Sequence, residues 1–264
     1  DREGNIMYLY NGRIPKRNEF LDWSKPVDGS DTTSLWHGYH TLNELPLLVN
    51  PNCNYLQNCN SDPFKTTRNE NPDKNKFPKY MTMLQPDTKR GERSKVILDS
   101  LRQLTMDDLE SLIMDTYVPV ADEILAKLFN EWDELSSINP QRAQLSEAPI
   151  KILRQWNKYS SIDSKAATLF FILWEKRNTI KSSEKWPYVS LLESTIEELK
   201  KDKGTWEVPW GDVMRNQRAL NNQQYEVNDN MISYPMAGGD GTTGIMFCLW
   251  TNRLKESVTR RSTG

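Results

Sequence analysis

The sequence predicts an α+β fold in which short strands at both ends flank a helical middle. Three observations carry that expectation. Ile6 to Tyr10 is an apolar and aromatic run fenced by Gly4 and by Asn11-Gly12, a strong turn pair. Across residues 92–204 apolar side chains recur at helical spacing. Beyond Gly204 the texture returns to short apolar runs broken by glycine and proline.

The bulk numbers fit a folded chain. At 264 residues it can bury a substantial core as one large domain or two smaller ones. Only 37% of residues are hydrophobic, but nine Trp, ten Tyr and seven Phe supply large buried surfaces. Lys plus Arg is 34 against 36 Asp plus Glu, a net charge of −2, so nothing asks for nucleic acid or an anionic membrane. No apolar run approaches the ~20 residues of a membrane-spanning helix. Cys53, Cys59 and Cys248 make no disulfide framework. On an extended strand Cys53 and Cys59 would lie roughly 20 Å apart, so a bridge needs the chain to fold back. His37, His40, Cys53 and Cys59 lack the short Cys-Cys bite of structural zinc. The chain opens on turn chemistry, Asp1 to Asn5, with no starting Met, and residue 1 is not expected to be its natural beginning.

In chain order, 5–13 reads as the first strand. Residues 14–51 lack periodicity and carry Pro15, Pro26, Gly29, Gly38 and Pro46, so an ordered excursion anchored on a core by Trp23 and Trp36 is expected. Asn50 to Phe64 packs five asparagines into eleven residues, which reads as extended chain, Tyr55 to Cys59, running into a polar turn at Asn60-Ser61-Asp62-Pro63. Thr66 to Pro78 reads as an exposed insertion.

From Glu92 a helix is expected to Leu101, then one capped by Thr105 with acidic Asp107 and Asp108 in its first turn. Ile124, Leu125, Leu128, Phe129 and Trp132 stripe a third. Asn139-Pro140 interrupts, and Pro149 sits early in the next stretch. Ile162, Ala166, Leu169, Phe170 and Leu173 mark the cleanest helix. Pro187 suits the first turn of another, which Gly204 ends. Residues 208–220 read as a turn and a short helix. Met231 to Met236 and Ile245 to Trp250, the latter apolar throughout, read as strands joined by a glycine turn at Gly238 to Gly241. The basic cluster Arg253 to Arg261 reads as a solvated strand end or loop. Strands from both ends are expected to share one sheet. The chain thus divides into 1–91, strand and long loop, 92–204, helical, and 205–264, a return to β.

Self-contained catalytic chemistry is missing from the motifs. There is no G-x-S-x-G elbow, no P-loop and no G-x-G-x-x-G after a strand. Two histidines in one loop supply a Ser-His-Asp triad poorly. Asp107-Asp108 and Glu197-Glu198 fall on polar helix faces, where solvated charge is the plain reading.

The stretch Asn50-Pro51 followed by Tyr55-Leu56-Gln57-Asn58-Cys59-Asn60-Ser61-Asp62-Pro63 resembles the N-P-x-x-G-Y-[LI]-x-N-x-N-x-x-P motif of the penicillin acylase family, which includes acyl-homoserine-lactone and lipopeptide acylases. Gly4 to Tyr8 and Leu45-Pro46 resemble the lead-in to that motif, and Glu92-Arg93 before a hydrophobic helix resembles its [DE]-R segment. Ile162 to Ser164 with Ala166-Ala167 and Leu169-Phe170, Trp210 to Val213 with Arg215, and Gly238-Gly239 resemble later blocks. Asn54 stands where the motif has glycine.

The resemblance implies an N-terminal nucleophile hydrolase, an αββα sandwich in which a self-cleaved precursor exposes a serine whose own α-amine is the base. It implies Asn60 as the side-chain oxyanion donor and Arg93 as support for the serine amine. Residue 1 is Asp, so the expectation is a large-subunit fragment with a helical insertion, lacking the catalytic N-terminal strands and inactive alone. Its partners would be the rest of the precursor, namely the small subunit and the start of the large one, and a small-molecule N-acyl substrate in a periplasmic or extracellular setting. No cofactor is implied; some members carry a structural calcium, for which Asn69 to Asp73 could supply a ligand. The residues alone leave a second reading open, a non-catalytic helical binding or scaffold domain of an extracytoplasmic protein.

Overall fold

The computed structural model describes residues 1–81, 86–101, 103–179, 187–217, 232–249, 251–253 and 257–262. They form two compact units, Asp1–Gln103 and Leu104–Gly264. The first holds β1 (Met7–Leu9), β2 (Leu47–Val49) and α1 (Lys89–Ser100). The second holds α2 (Met106–Ile113), α3 (Val120–Ile138), α4 (Pro140–Gln144), α5 (Glu147–Gln155), α6 (Lys165–Thr179), α7 (Pro187–Lys203), α8 (Trp210–Val213), β3 (Met214–Asn216), β4 (Tyr234–Pro235), β5 (Asn252–Arg253) and β6 (Arg260–Ser262). Helices with small sheets make this an α+β chain. No helix among the described residues is long and apolar enough to cross a membrane.

The first unit is knitted mainly by hydrogen bonds. β1 and β2 pair antiparallel, Met7 opposite Val49 and Leu9 opposite Leu47. Asn50 extends the ladder: its N–H donates to Ile6 O (3.0 Å), and its side-chain oxygen accepts from Ile6 N–H (2.9 Å). Met7, Leu47 and Val49 share one face and are exposed. Few large apolar side chains are buried here beyond Leu45 and Met81; Gln57, Thr66, Thr67 and Ser94 are buried polar groups instead. Two expectations change. Thr66 and Thr67 begin the supposed exposed insertion yet are buried. Trp36 is 57% exposed, because it and the half-buried Trp23 stack on Arg17 rather than anchoring in a core.

In the second unit the helices follow their punctuation. Thr105 and Asp108 form a reciprocal capping box at the start of α2. Asn139 closes α3 and opens α4, accepting from Arg142 N–H (3.1 Å) ahead of Pro140 at N1. Glu131 on α3 reaches the N-terminus of α7 and accepts from Tyr188 N–H (2.9 Å). Gly204, at φ +75°, ends α7. α6 is apolar nearly all round and is packed between α5 and α7, with Leu169, Phe170 and Ile172 fully buried. Truncating a core side chain such as Leu128 would cost about 2–5 kcal/mol.

The C-terminal elements depart further. Strands from the two ends do not share a sheet among the described residues: β1 pairs β2, while the second sheet runs β4-β3-β6-β5 with β3 and β6 parallel. The helix expected to continue past Val213 gives way to β3, because Met214 to Asn216 finds partners on both sides, in Tyr234–Pro235 and Arg260–Ser262; residues 218–220 lie outside the described residues. That central place for β6 also buries Arg261 (4% exposed) and draws Arg260 into an ion pair with Glu175, so this part of the basic cluster is not solvated.

The hairpin expected at Gly238 to Gly241 does not form. Asp240 instead caps a 3₁₀ turn, Gly241–Thr243, and Gly239 bridges Cys248 in the parallel sense. Ile245 is buried, but Phe247 and Leu249 are only half-buried and Cys248 is exposed; an all-apolar run has no period that separates strand from packed coil. Met231 and Trp250, the ends of the two expected strands, lie outside the described residues.

These glycines serve close packing. A Cβ on Gly239 would lie 2.4 Å from the ring of Phe171, which stacks on Trp210 at 4.5 Å. Trp210 Nε1–H donates to Gly238 O (2.8 Å), and Gly211 N–H to Ile162 O (2.7 Å). Ile162 itself lies before α6 and is 41% exposed. Three separated sequence blocks thus meet in one knot.

Candidate functional site

The asparagine-rich stretch is coil rather than strand. Asn50, Asn54 and Asn60 adopt left-handed backbone, with φ of +46°, +58° and +62°. Asparagine tolerates that region better than other non-glycine residues, which accounts for the composition and for Asn54 at the motif's glycine position.

Asn60 sits at the tip of a turn closed by Asn58. The Asn58 side-chain oxygen accepts from Asn60 N–H (3.0 Å) and its amide donates to Ser61 O (3.3 Å). Asp62 repeats the device, accepting from Phe64 N–H (2.9 Å). Gln57, buried, donates to Lys65 O (2.5 Å) and accepts from Ser94 Oγ (3.2 Å) on α1.

The turn is clamped to the start of α1. Thr88 Oγ1 donates to Cys59 O (2.9 Å) while accepting from Gly91 N–H (3.0 Å) as the helix N-cap. Asp87 Oδ1 accepts from Ser61 Oγ (2.7 Å) and Thr88 N–H (2.9 Å), and its other oxygen pairs with Lys95. Lys95 and Asp87 are largely buried, at 12% and 8% side-chain exposure. Gly91 is required, since a Cβ there would lie 2.5 Å from Asp87 Oδ1.

Arg90 Nη2 donates to Asn60 Oδ1 at 2.6 Å. A guanidinium only donates, so the atom facing it is the amide oxygen, and Asn60 Nδ2 is turned away. Asn60 is exposed. Its donor therefore stands beside a cation and near the N-terminus of a twelve-residue helix, where the potential favours negative charge.

Arg93, the expected supporting arginine, lies three residues further along α1, on the same side as Arg90, and is half-buried. Sequence reasoning missed Arg90 because it began the helix at Glu92. The available signal was Thr88 as N-cap, which starts the helix at Lys89 and puts Arg90 in the first turn.

The remaining candidates go elsewhere. Cys53, Cys59 and Cys248 are free thiols. His40 Nε2 lies 3.0 Å from Tyr80 OH. No group of three His, Cys, Asp or Glu among the described residues is placed to hold a metal ion. In residues 69–73 the side chains tie down their own loop. Glu70 accepts from Asn52 N–H, Asn71 from Thr66 Oγ1 and Thr67 N–H, and Asp73 caps a 3₁₀ turn. Tyr55 donates to Asp99 Oδ1 (2.8 Å), and burial with that carboxylate pushes its phenol up to about 12.

Compared with known protein families, residues 1–260 match the family model described as penicillin amidase.

Proposed function

The chain belongs to the penicillin amidase family, a family of amide hydrolases, and on that premise we propose that it supplies the oxyanion side of an acylase active site. The nucleophile is an N-terminal serine carried by a part of an autoproteolytic precursor outside these 264 residues. The observation that carries this reading is the Arg90–Asn60 hydrogen bond, which holds the amide oxygen and leaves Nδ2–H as an oriented donor.

The serine hydroxyl attacks the acyl carbon of a linear N-acyl amide as its α-amine takes the proton. Charge moves onto the carbonyl oxygen, where Asn60 Nδ2–H donates to it. Collapse breaks the C–N bond, and the α-ammonium returns the proton to the leaving amine. Water then cleaves the acyl-serine by the same steps. Arg93 supports the amine: a nearby cation disfavours its protonated form and keeps it a base.

An αββα sandwich suits the sheet β1–β2, whose exposed face of Met7, Leu47 and Val49 is apolar and fits burial against further elements. A periplasmic or extracellular setting accompanies the reading, with the rest of the precursor and an N-acyl small molecule as partners. The test is steady-state hydrolysis by the processed full-length enzyme with Asn60→Ala. A kcat equal to that of the parent enzyme would remove Asn60 from the chemistry.

A further inference from the structure

Residues 10–15 and Arg17, which the amide-hydrolysis reading does not use, border a groove of ≈330 Å³ that Tyr80 and Met81 also line. The backbone there is well tied. Lys16 N–H donates to Gly38 O (2.9 Å), His37 N–H to Lys16 O (2.9 Å) and His40 N–H to Ile14 O (2.9 Å). This ladder sets Arg17 against Trp36, its guanidinium carbon 5.8 Å from that ring and 4.9 Å from Trp23.

The groove's charge is one-sided. Arg13 and Arg17 both line it, and among the described residues no acidic one does. Neither arginine makes an ion pair among the described residues, and Arg17 Nε is covered without a hydrogen-bond partner. A covered, unpaired donor is costly, and two unneutralised cations beside one cavity repel each other. Stacking on two indoles fixes the Arg17 plane but leaves its charge in place. Tyr10 also lines the groove, and its hydroxyl has no hydrogen-bond partner among the described residues. Ile14, Pro15 and Met81 give the groove apolar wall.

We propose that this groove is a binding site for a small organic carboxylate with an apolar body. Arg17 and Arg13 neutralise the carboxylate, whose planar pair of oxygens matches a guanidinium fork. Tyr10 offers a further donor, and the apolar wall takes the ligand's hydrocarbon part. A phosphate would meet the cations but leave that wall uncovered. None of its lining residues belongs to the Asn60 turn or its clamp, so the proposal does not rest on the Asn60 chemistry.

The test is titration of the 264-residue chain with benzoate, benzamide and inorganic phosphate, followed through its tryptophan indole N–H resonances. Saturable benzoate binding is expected, with benzamide and phosphate about tenfold weaker or worse. Arg17→Met keeps the stem and removes the charge, and should weaken benzoate about tenfold; Arg13→Gln, on the exposed rim, should weaken it less without touching the indole stack. Asn60→Ala should bind benzoate as the parent does. Equal binding of benzamide or phosphate, undiminished binding in both arginine variants, loss of binding in Asn60→Ala, or no saturation by about 10 mM would each overturn the proposal.

Discussion

Arg90 Nη2 and Asn60 Oδ1 are 2.6 Å apart, and this contact sets which end of the Asn60 amide faces outward. Exchange of the amide's two ends would aim two donors at each other. In the processed full-length enzyme, Asn60→Ala should lower kcat by about 10²–10³ with KM little changed, because the donor acts on charge that develops in the transition state. Arg90→Met should lower kcat less, and Arg90→Lys should restore part of the loss. Kinetics on a chromogenic N-acyl amide reads all three.

The isolated 264-residue chain should hydrolyse no linear N-acyl amide, whereas the processed precursor should. Turnover by the isolated chain, at a rate proportional to its concentration through successive purification steps, would place a nucleophile within these residues and overturn the mechanism.

Gly91→Ala tests the clamp beneath Asn60. Within a helix alanine is ordinarily better than glycine by up to about 1 kcal/mol. Here the added methyl would lie 2.5 Å from Asp87 Oδ1 and 3.2 Å from Ser61 Oγ. Asp87 is held by Lys95 and Thr88 and has little room to give. Destabilisation of about 1–3 kcal/mol is expected from urea unfolding; a gain in stability would show that the clamp yields freely.

Glu131 gives a pH signature in the second unit. Burial, and secondarily the charge of Glu134, raise its pKa above 4.5 despite hydrogen bonds from Tyr188 and Val189 N–H that pull it down. A raised folded pKa means the native state binds the proton more tightly than the unfolded chain. The stability it contributes is therefore full below 4.5 and is lost as pH rises through the folded value. Tm measured from pH ~4 to ~7 should fall more steeply for the parent chain than for Glu131→Gln over that window. Parallel curves would leave Glu131 without this role.

Helix placement was readable wherever the chain carries its own stop and start chemistry. Thr105 with Asp108, Asn139-Pro140, Pro187 and Gly204 each act within a turn of themselves, so local sequence suffices. The Asn60 turn was readable for the same reason: Asn58 and Asp62 bond backbone two residues on. The C-terminal strands were not. Met214 to Asn216 becomes a strand because Arg260–Ser262 arrives beside it in parallel from over forty residues away, and no local pattern announces that pairing. The burial of Arg261 was hidden for the same reason, whereas the 3₁₀ turn at Gly241 did carry a local signal, Asp240 bonding the backbone two residues on.

The family and the helical middle could be read from the residues, and the motif singled out Asn60 as a candidate, because motif spacing, helical period and capping are all short-range. Tertiary structure alone decided what Asn60 can do. Its amide orientation depends on Arg90, its turn on Thr88 and on Asp87 with Lys95, and these come from a helix about thirty residues on. A side-chain amide has two chemically opposite ends, and only a neighbour in space can choose between them.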